Sequence, residues 1–339
     1  MTTQDWEAFV PLATVRHRAT PSVARHLDIL DMPDSARARI IAAARRNSLA
    51  ALTHMAETRR IAQALDAIDV QIGVFKGWPL AELLHGEIDA RQAGDLDLLV
   101  PEYQVKESRI ALEEIGFEIL GDTPKDTRRL RRLDGAQLIR TRKDFKMMRP
   151  TTGVLVEMHW RLLNYHGWPI LLDRPGALIT QDSSAGPLLV PNDQTNMLYL
   201  STHGALHLWE QLKWLEDIAW LARKRGAEGL VADVEAASAV GLERPILFAL
   251  LLAGQLLASP IPPGLEHDDP RVAGLVKWIL RRMPSQHGRF ERKRRQVGVR
   301  WMGLLLAQDW RQRLGIIGYD TARRFRLMSL DAQGATRKR

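Results

Sequence analysis

The sequence predicts an α+β protein: a mixed β-sheet of short strands within residues 70–190, flanked by helices, with a helical cap over residues 1–69 and a helical domain over residues 191–330. Three observations predict it. Between Pro33 and Asp69, Ile40, Ile41, Ala44, Leu49, Leu52, Met55, Ile61 and Leu65 recur at helical spacing. From Ile72 to His159 the apolar runs become short and alternate with Gly, Pro and Asp turn signals, as strands and short helices do. From Asn192 onward helical periodicity returns, interrupted around Pro260–Gly264 and Pro284–Gly288.

Residues 1–31, with Pro11 and Pro21, read as short helices or loops. Pro33-Asp34-Ser35 can start a long helix, with room for a break at Asn47-Ser48. Strands are expected at Val70–Phe75 and Asp95–Val100. Between them Trp78–His85 reads as a helix, with Pro79 tolerated in its first turn. A helix over Glu102–Ile115 ends at Gly116 in the C-cap position, and Phe117–Leu120 is a further strand. Lys125–Arg132 is a basic helix or loop, and Ala136–Arg140, Phe145–Met148 and Val154–His159 form an antiparallel set. Asn192 or Asp193 caps a helix running to about Arg225, followed by helices at 228–240, 243–258, 269–283 and 296–328. Residues 331–339 read as a disordered basic tail.

The chemistry concentrates in Gly94-Asp95-Leu96-Asp97-Leu98-Leu99-Val100. On a strand Asp95 and Asp97 share one face, about 6.6–6.8 Å apart, while Leu96 and Leu98 enter a core. Two carboxylates on one face repel each other and lose hydration, so the fold must compensate them, and a hard divalent cation is the simplest compensation. An edge strand showing both acids to water is the alternative. Relief of that repulsion would make asparagine at both positions neutral or stabilising. Lys76-Gly77 falls where a strand feeds a helix N-terminus, a place that favours anions. In Val154–His159, Leu155, Glu157 and His159 share a face. His203 and His207 lie one helical turn apart; Gly204 replaces the Glu of a metalloprotease pattern, so they read as histidines lining a cleft or docking a helix.

Lys76-Gly77, a helix, Arg91, and Gly94-Asp95-Leu96-Asp97-Leu98-Leu99-Val100 resemble the nucleotidyltransferase superfamily of polymerase-beta-like fold, and more closely its "uncharacterised nucleotidyltransferase family" group. Gly116-Phe117, Val156–Leu162, and His203-Gly204-Ala205-Leu206-His207 with Trp214 and Asp217 extend the likeness, which runs from about residue 70 to residue 222. The resemblance implies a minimal nucleotidyltransferase sheet in which Glu157 stands beside Asp95 and Asp97 as third carboxylate. It implies that these three hold Mg²⁺ or Mn²⁺, two ions in all. Lys76, Gly77, Arg91 and Gly94 would bind the nucleotide, with His159, His203 and His207 in the cleft. The implied reaction moves a nucleoside monophosphate from an NTP to a hydroxyl or phosphate of a peptide, protein, sugar or small molecule and releases pyrophosphate. Members of the wider superfamily carry a serine after the turn glycine, where this chain has Trp78. The other classes to separate are a non-catalytic nucleotide- or nucleic-acid-binding module on the same fold, and an adenylylating toxin-type protein.

Composition bounds these readings. The chain has 339 residues, enough for several packed units, with 45% hydrophobic and 26% charged residues, as in globular proteins. It contains no cysteine, which excludes disulfides and thiolate metal sites and fits a cytoplasmic protein. No basic-then-apolar leader opens it, and the greasiest run, Pro245–Ala258, is too short to span a bilayer. The net charge of +8 is uneven: Arg281–Arg339 holds 16 Lys/Arg against 4 Asp/Glu, and Lys125–Arg149 holds 10 against 3. Such patches attract nucleotides, nucleic acid or acidic partners, or are solvated faces. The ten tryptophans read as packing anchors.

Overall fold

The computed structural model describes residues 2–133, 136–137, 139, 142–163, 176–265, 269–282, 292–318 and 321. Helices α1 (Thr3–Pro11), α2 (Thr20–Ala24) and α3 (Asp34–Asp66) form the N-terminal part. Then come β1 (Gly73–Phe75), α4 (Gly77–His85), β2 (Leu96–Leu99), α5 (Val105–Glu114), β3 (Glu118–Leu120), α6 (Pro124–Leu130), β4 (Asp144–Met148) and β5 (Leu155–His159). A hairpin of β6 (Leu178–Ser183) and β7 (Gly186–Pro191) precedes α7 (Asp193–Leu206), α8 (Leu212–Ser238), α9 (Glu243–Leu257), α10 (Pro270–Arg282) and α11 (Arg292–Leu306).

The seven strands form one mixed sheet in the order β3-β4-β5-β2-β1-β7-β6. The β2–β5 and β1–β7 pairs are parallel and the others antiparallel. Side-chain alternation then sorts residues to two faces. Leu96 and Leu98 of β2, with Val156 and Met158 of β5, enter a core shared with Ile61 and Leu65 of α3 and Leu112 of α5. Phe75 and Leu99 point the other way and pack with Met197, Leu198 and Tyr199 of α7 and Leu215 of α8. Helices α7 and α8 therefore cover the face on which Asp97 and Glu157 stand.

The α+β class and the strands around the Asp-Leu-Asp motif agree with the sequence reading. Several elements differ. The helix α3 runs 33 residues without the break foreseen at Asn47-Ser48. There Asn47 donates to the Asp89 carbonyl at 2.7 Å, and Ser48 bonds both the Ala44 carbonyl and Asp89, so polar groups in mid-helix serve a tertiary contact. The strand expected at Ala136–Arg140 is not one: Ala136, Gln137 and Ile139 are helical, and the rest of that span lies outside the described residues. The strands β6 and β7 were not foreseen.

The helix expected from Asn192 to Arg225 is two helices. Leu208 and Trp209 adopt left-handed backbone, with φ of +57° and +49°, and α8 restarts at Leu212. Trp209 folds back so tightly that a Cβ on Gly204 would stand 2.1 Å from its ring, and only glycine allows that approach. A kink at Gly226, φ +65°, then bends α8 where a separate helix over 228–240 was expected. The helix foreseen over 296–328 ends at Leu306, and residues 310–318 form another. The tail at 331–339 lies outside the described residues. No helix of the described residues is long and apolar enough to cross a membrane.

Candidate active site

Register alone brings the acids together. In the parallel β2–β5 pair Asp97 stands opposite Glu157, and Leu99 opposite His159. One ligand atom from each of Asp97, Glu157 and His159 lies within 4.8 Å of the others. His159 Nε2 is 3.2 Å from Asp97 Oδ1 and 3.5 Å from Glu157 Oε2. Asp95 precedes β2 and is not part of this group, although it is close enough for Asp97 and Glu157 to act on its ionisation. The structure thus gathers two of the three sequence-predicted carboxylates and puts His159, expected only as a cleft residue, between them.

The predicted compensation for crowded acids was a metal, and the protein supplies cations of its own. Lys76 Nζ forms an ion pair with Asp97 Oδ1 at 3.2 Å. Lys146, opposite Glu157 in the β4–β5 ladder, reaches Glu157 Oε1 at 3.1 Å. Burial alone would raise Asp97, but Lys76 and His159 hold it below the usual carboxylate range. Burial likewise opposes the Glu157 charge, yet the hydrogen bond and charge of His159 bring its pKa down to about 2. Asp95 goes the other way: burial raises it, and the Asp97 charge adds to the rise.

Behind His159 sits a pair that sequence reading missed. Lys143 lies 3.2 Å from His159 Nδ1 and bonds its neighbour Asp144, whose Oδ2 is 3.6 Å from the same ring nitrogen. Burial works against the Asp144 charge, but Lys143 and His159 depress its pKa to about 2. These contacts orient the imidazole so that Nε2 faces Asp97 and Glu157. For His159 itself, burial and Lys143 lower its proton affinity, but hydrogen bonds to Asp97 and Glu157 win and raise it. Only the Lys-Asp pair at the start of a strand candidate signalled this support.

The Lys76-Gly77 turn caps α4 as expected. Lys76 has φ +63° and ψ −156°, a region occupied almost only by glycine, and Gly77 follows at φ +59°. Non-glycine residues in such backbone cost on the order of 1–3 kcal/mol and cluster at functional sites. Trp78, in place of the superfamily serine, is buried in the sheet core and donates to Thr58 Oγ1 of α3 at 3.1 Å, fixing the first turn of α4. Lys76 Nζ lies 5.1 Å from the Phe75 ring centroid and 5.4 Å from that of Tyr199. Burial disfavours the ammonium, but Asp97, Tyr199 and Asp95 more than offset this, so Lys76 stays charged. Tyr199 was not foreseen, because on α7 it reads as one more core aromatic.

From Tyr199 a wall of rings leads away from the acids. Tyr199 and His203 have centroids 5.7 Å apart, His203 and His207 4.5 Å, and Trp214 of α8 lies 5.3 and 5.7 Å from the two histidines. Burial, with Lys76 adding to it, keeps His203 neutral well below the usual histidine range. Arg91 is engaged elsewhere than the sequence suggested. Its guanidinium forms a bidentate pair with Asp217 of α8, Nε to Oδ1 at 2.8 Å and Nη2 to Oδ2 at 2.9 Å, with both side chains buried. Gly94 lies under the guanidinium of Arg18.

Comparison with known proteins follows the same lines. Residues 2–258 match the model of a family described as "Uncharacterised nucleotidyltransferase". No curated protein matches the chain. Among solved structures, the solution structure of the antibiotic-resistance factor ANT(2'')-Ia is similar at 13% identity and a TM-score of 0.41, covering 56% of this chain and 92% of that one. The crystal structure of ANT(2'')-Ia in complex with adenylyl-2''-tobramycin gives 14% identity, a TM-score of 0.41, and coverage of 55% and 98%. An antigenic nucleotidyltransferase-like protein from Paracoccidioides brasiliensis gives 15%, 0.35, and coverage of 62% and 94%.

Proposed function

This chain belongs to that nucleotidyltransferase family, and from that premise we propose that it transfers a nucleoside monophosphate from an NTP to a hydroxyl or phosphate of an acceptor, with a divalent ion bound and pyrophosphate released. The observation that carries the proposal is the convergence of Asp97, Glu157 and His159 within 4.8 Å, on in-register strands beside a strained Lys-Gly turn.

The donor set fits a divalent ion. Two carboxylates held ionised and one imidazole suit an oxygen-preferring cation with a nitrogen ligand tolerated. Asp97, Glu157 and His159 would hold it, and Asp95 at the edge would complete a site for Mg²⁺ or Mn²⁺, two ions in full. A bound divalent ion supplies Lewis-acid charge at the phosphate oxygens. The remaining work belongs to the chain. The Lys76 ammonium and the amides at the start of α4 receive phosphate charge as the bond from the α-phosphorus to its bridging oxygen breaks. The bridging oxygen leaves with the electron pair, as part of pyrophosphate. An acceptor oxygen forms the new bond in line, and its proton passes to a carboxylate oxygen of the cluster. Tyr199 positions Lys76, and the Lys143–Asp144 pair orients His159. A non-catalytic binding module would gain nothing from gathering these acids out of water.

Glu157→Gln tests the assignment. Transfer of label from an NTP to an acceptor should fall about 10²–10³-fold while nucleotide affinity changes little, because the lost charge acts at the reacting phosphate. Wild-type turnover in this variant would remove Glu157 from the reaction. An NTP panel with peptide, sugar and small-molecule acceptors identifies both substrates.

A further inference from the structure

The last helices lie beyond residue 258, where the family match ends, and each buries one face. Met302 and Leu306 of α11 enter the core of the helical domain, and Ile316 of the helix over residues 310–318 joins them. Polar bonds tie both helices to the start of α9. Gln308 Nε2 donates to Glu243 Oε2 at 2.8 Å, Gln312 Nε2 donates to the Gly241 carbonyl at 3.3 Å, and Arg244 donates to the Ala307 carbonyl. With the inner face fixed in this way, the direction of the outer face is fixed as well.

That outer face is apolar. Trp301 and Leu305 are one helical turn apart on α11, and Trp310, Leu314 and Ile317 recur at i, i+4 and i+7 on the next helix. All five are exposed, the two tryptophans by 62% and 63%. A single exposed apolar residue is ordinary, whereas a group of large ones marks a contact surface. The surroundings are cationic. Arg292-Lys293-Arg294-Arg295 opens α11, and the Arg311 guanidinium lies 5.5 Å from the Trp310 ring centroid. Arg281–Arg339 carries 16 Lys/Arg against 4 Asp/Glu, a net of 16 − 4 = +12. One of those acids, Asp309, serves as a helix cap: its Oδ1 accepts from the Gln312 amide at 2.8 Å.

We propose that α11 and the helix after it form a docking face for an anionic lipid surface. The indoles and aliphatic side chains enter the headgroup boundary, and the basic residues meet the lipid phosphates. Charge and side-chain chemistry together select this occupant. A second copy of the chain would set the same net positive charge against itself. A nucleic acid would answer the charge but offer Leu305, Leu314 and Ile317 no apolar partner. Tryptophan and leucine beside arginine make up helices that lie in a bilayer interface, and basic segments are drawn to anionic leaflets. The docking face does not rest on the nucleotidyl-transfer reading.

Co-sedimentation of the full-length protein with lipid vesicles tests this. Vesicles of equal parts phosphatidylcholine and phosphatidylserine should bind it at low salt and release it as salt is added. Vesicles of phosphatidylcholine alone should bind it at least about tenfold more weakly. Trp301→Ser with Trp310→Ser should weaken binding to the mixed vesicles about ten- to a hundredfold, the scale of leaving a large apolar side chain in water. The same variant should lose the quenching of tryptophan emission by brominated acyl chains. Leu314→Glu should weaken binding as well, and both variants should keep the wild-type urea midpoint, since the altered side chains are exposed. Tyr103→Ser, at an 82% exposed aromatic ahead of α5, should change neither binding nor quenching. Absence of wild-type binding to the mixed vesicles, or wild-type binding by both variants, overturns the docking face. So does finding that the two variants lose self-association or polynucleotide binding while their vesicle binding is unchanged.

Discussion

Asp97→Asn is expected to lower nucleotidyl transfer by at least about 10²–10³-fold, the scale of removing one preorganised charge from a reacting phosphate. It should destabilise the fold at the same time. Asp97 is 4% exposed and its Oδ1 faces both Lys76 and His159 at 3.2 Å. Neutralising it leaves two buried cations facing an amide, and breaking a buried pair costs about 3–5 kcal/mol. Single-turnover transfer and urea denaturation read the two effects separately; a variant as stable as wild type would show that the pairing contributes nothing. Asp95→Asn should have the opposite sign on stability. The folded carboxyl of Asp95 is raised by burial and by Asp97, so its ionisation opposes folding, and its stabilising contribution fades as pH rises through the folded pKa. Burial, with the Asp97 charge added to it, thus governs Asp95, whereas Asp97 is flanked by cations.

Asp217→Asn is expected to be the most destabilising change outside the acid cluster. It strands the Arg91 guanidinium, 6% exposed, whose two nitrogens bond both Asp217 oxygens. The cost should again be about 3–5 kcal/mol, read by urea denaturation. The double change Arg91→Met with Asp217→Leu should recover most of it, because apolar replacement of a buried pair is often neutral or better. Failure of the double variant to recover would mean that the pair also orders the loop into Asp95.

The motif strands were legible because period-two alternation and turn residues mark a half-buried strand, and a family likeness set those strands side by side; the register that puts Asp97 opposite Glu157 is seen only in the structure. The hairpin of β6 and β7 was not legible, since Leu178–Ser183 carries Thr, Gln and Asp with weak alternation. The break between α7 and α8 escaped notice because it rests on left-handed Leu208 and Trp209, residues that give no turn signal, and on ring packing over Gly204. At the site, Asp97 was marked by its spacing from Asp95 and Lys76 by its place at a strand-to-helix turn, while Glu157 was implied by the family likeness alone. Tyr199 acts on Lys76 across a contact distant in sequence, which no local pattern encodes, and Lys143-Asp144 gave no more than a charged pair at the start of a strand candidate. Arg91 shows the converse: its place before the motif suggested phosphate, while its partner stands 126 residues away.

That separation bears on the order of events during synthesis. At about 5–20 residues per second, Asp217 is made roughly 6–25 s after Arg91. Through that interval the segment leading into Asp95 lacks its counter-ion, and Tyr199 does not exist until late in it. A nascent chain that already carries the acid-bearing strands therefore lacks the Arg91 counter-ion until the first turns of α8 are made.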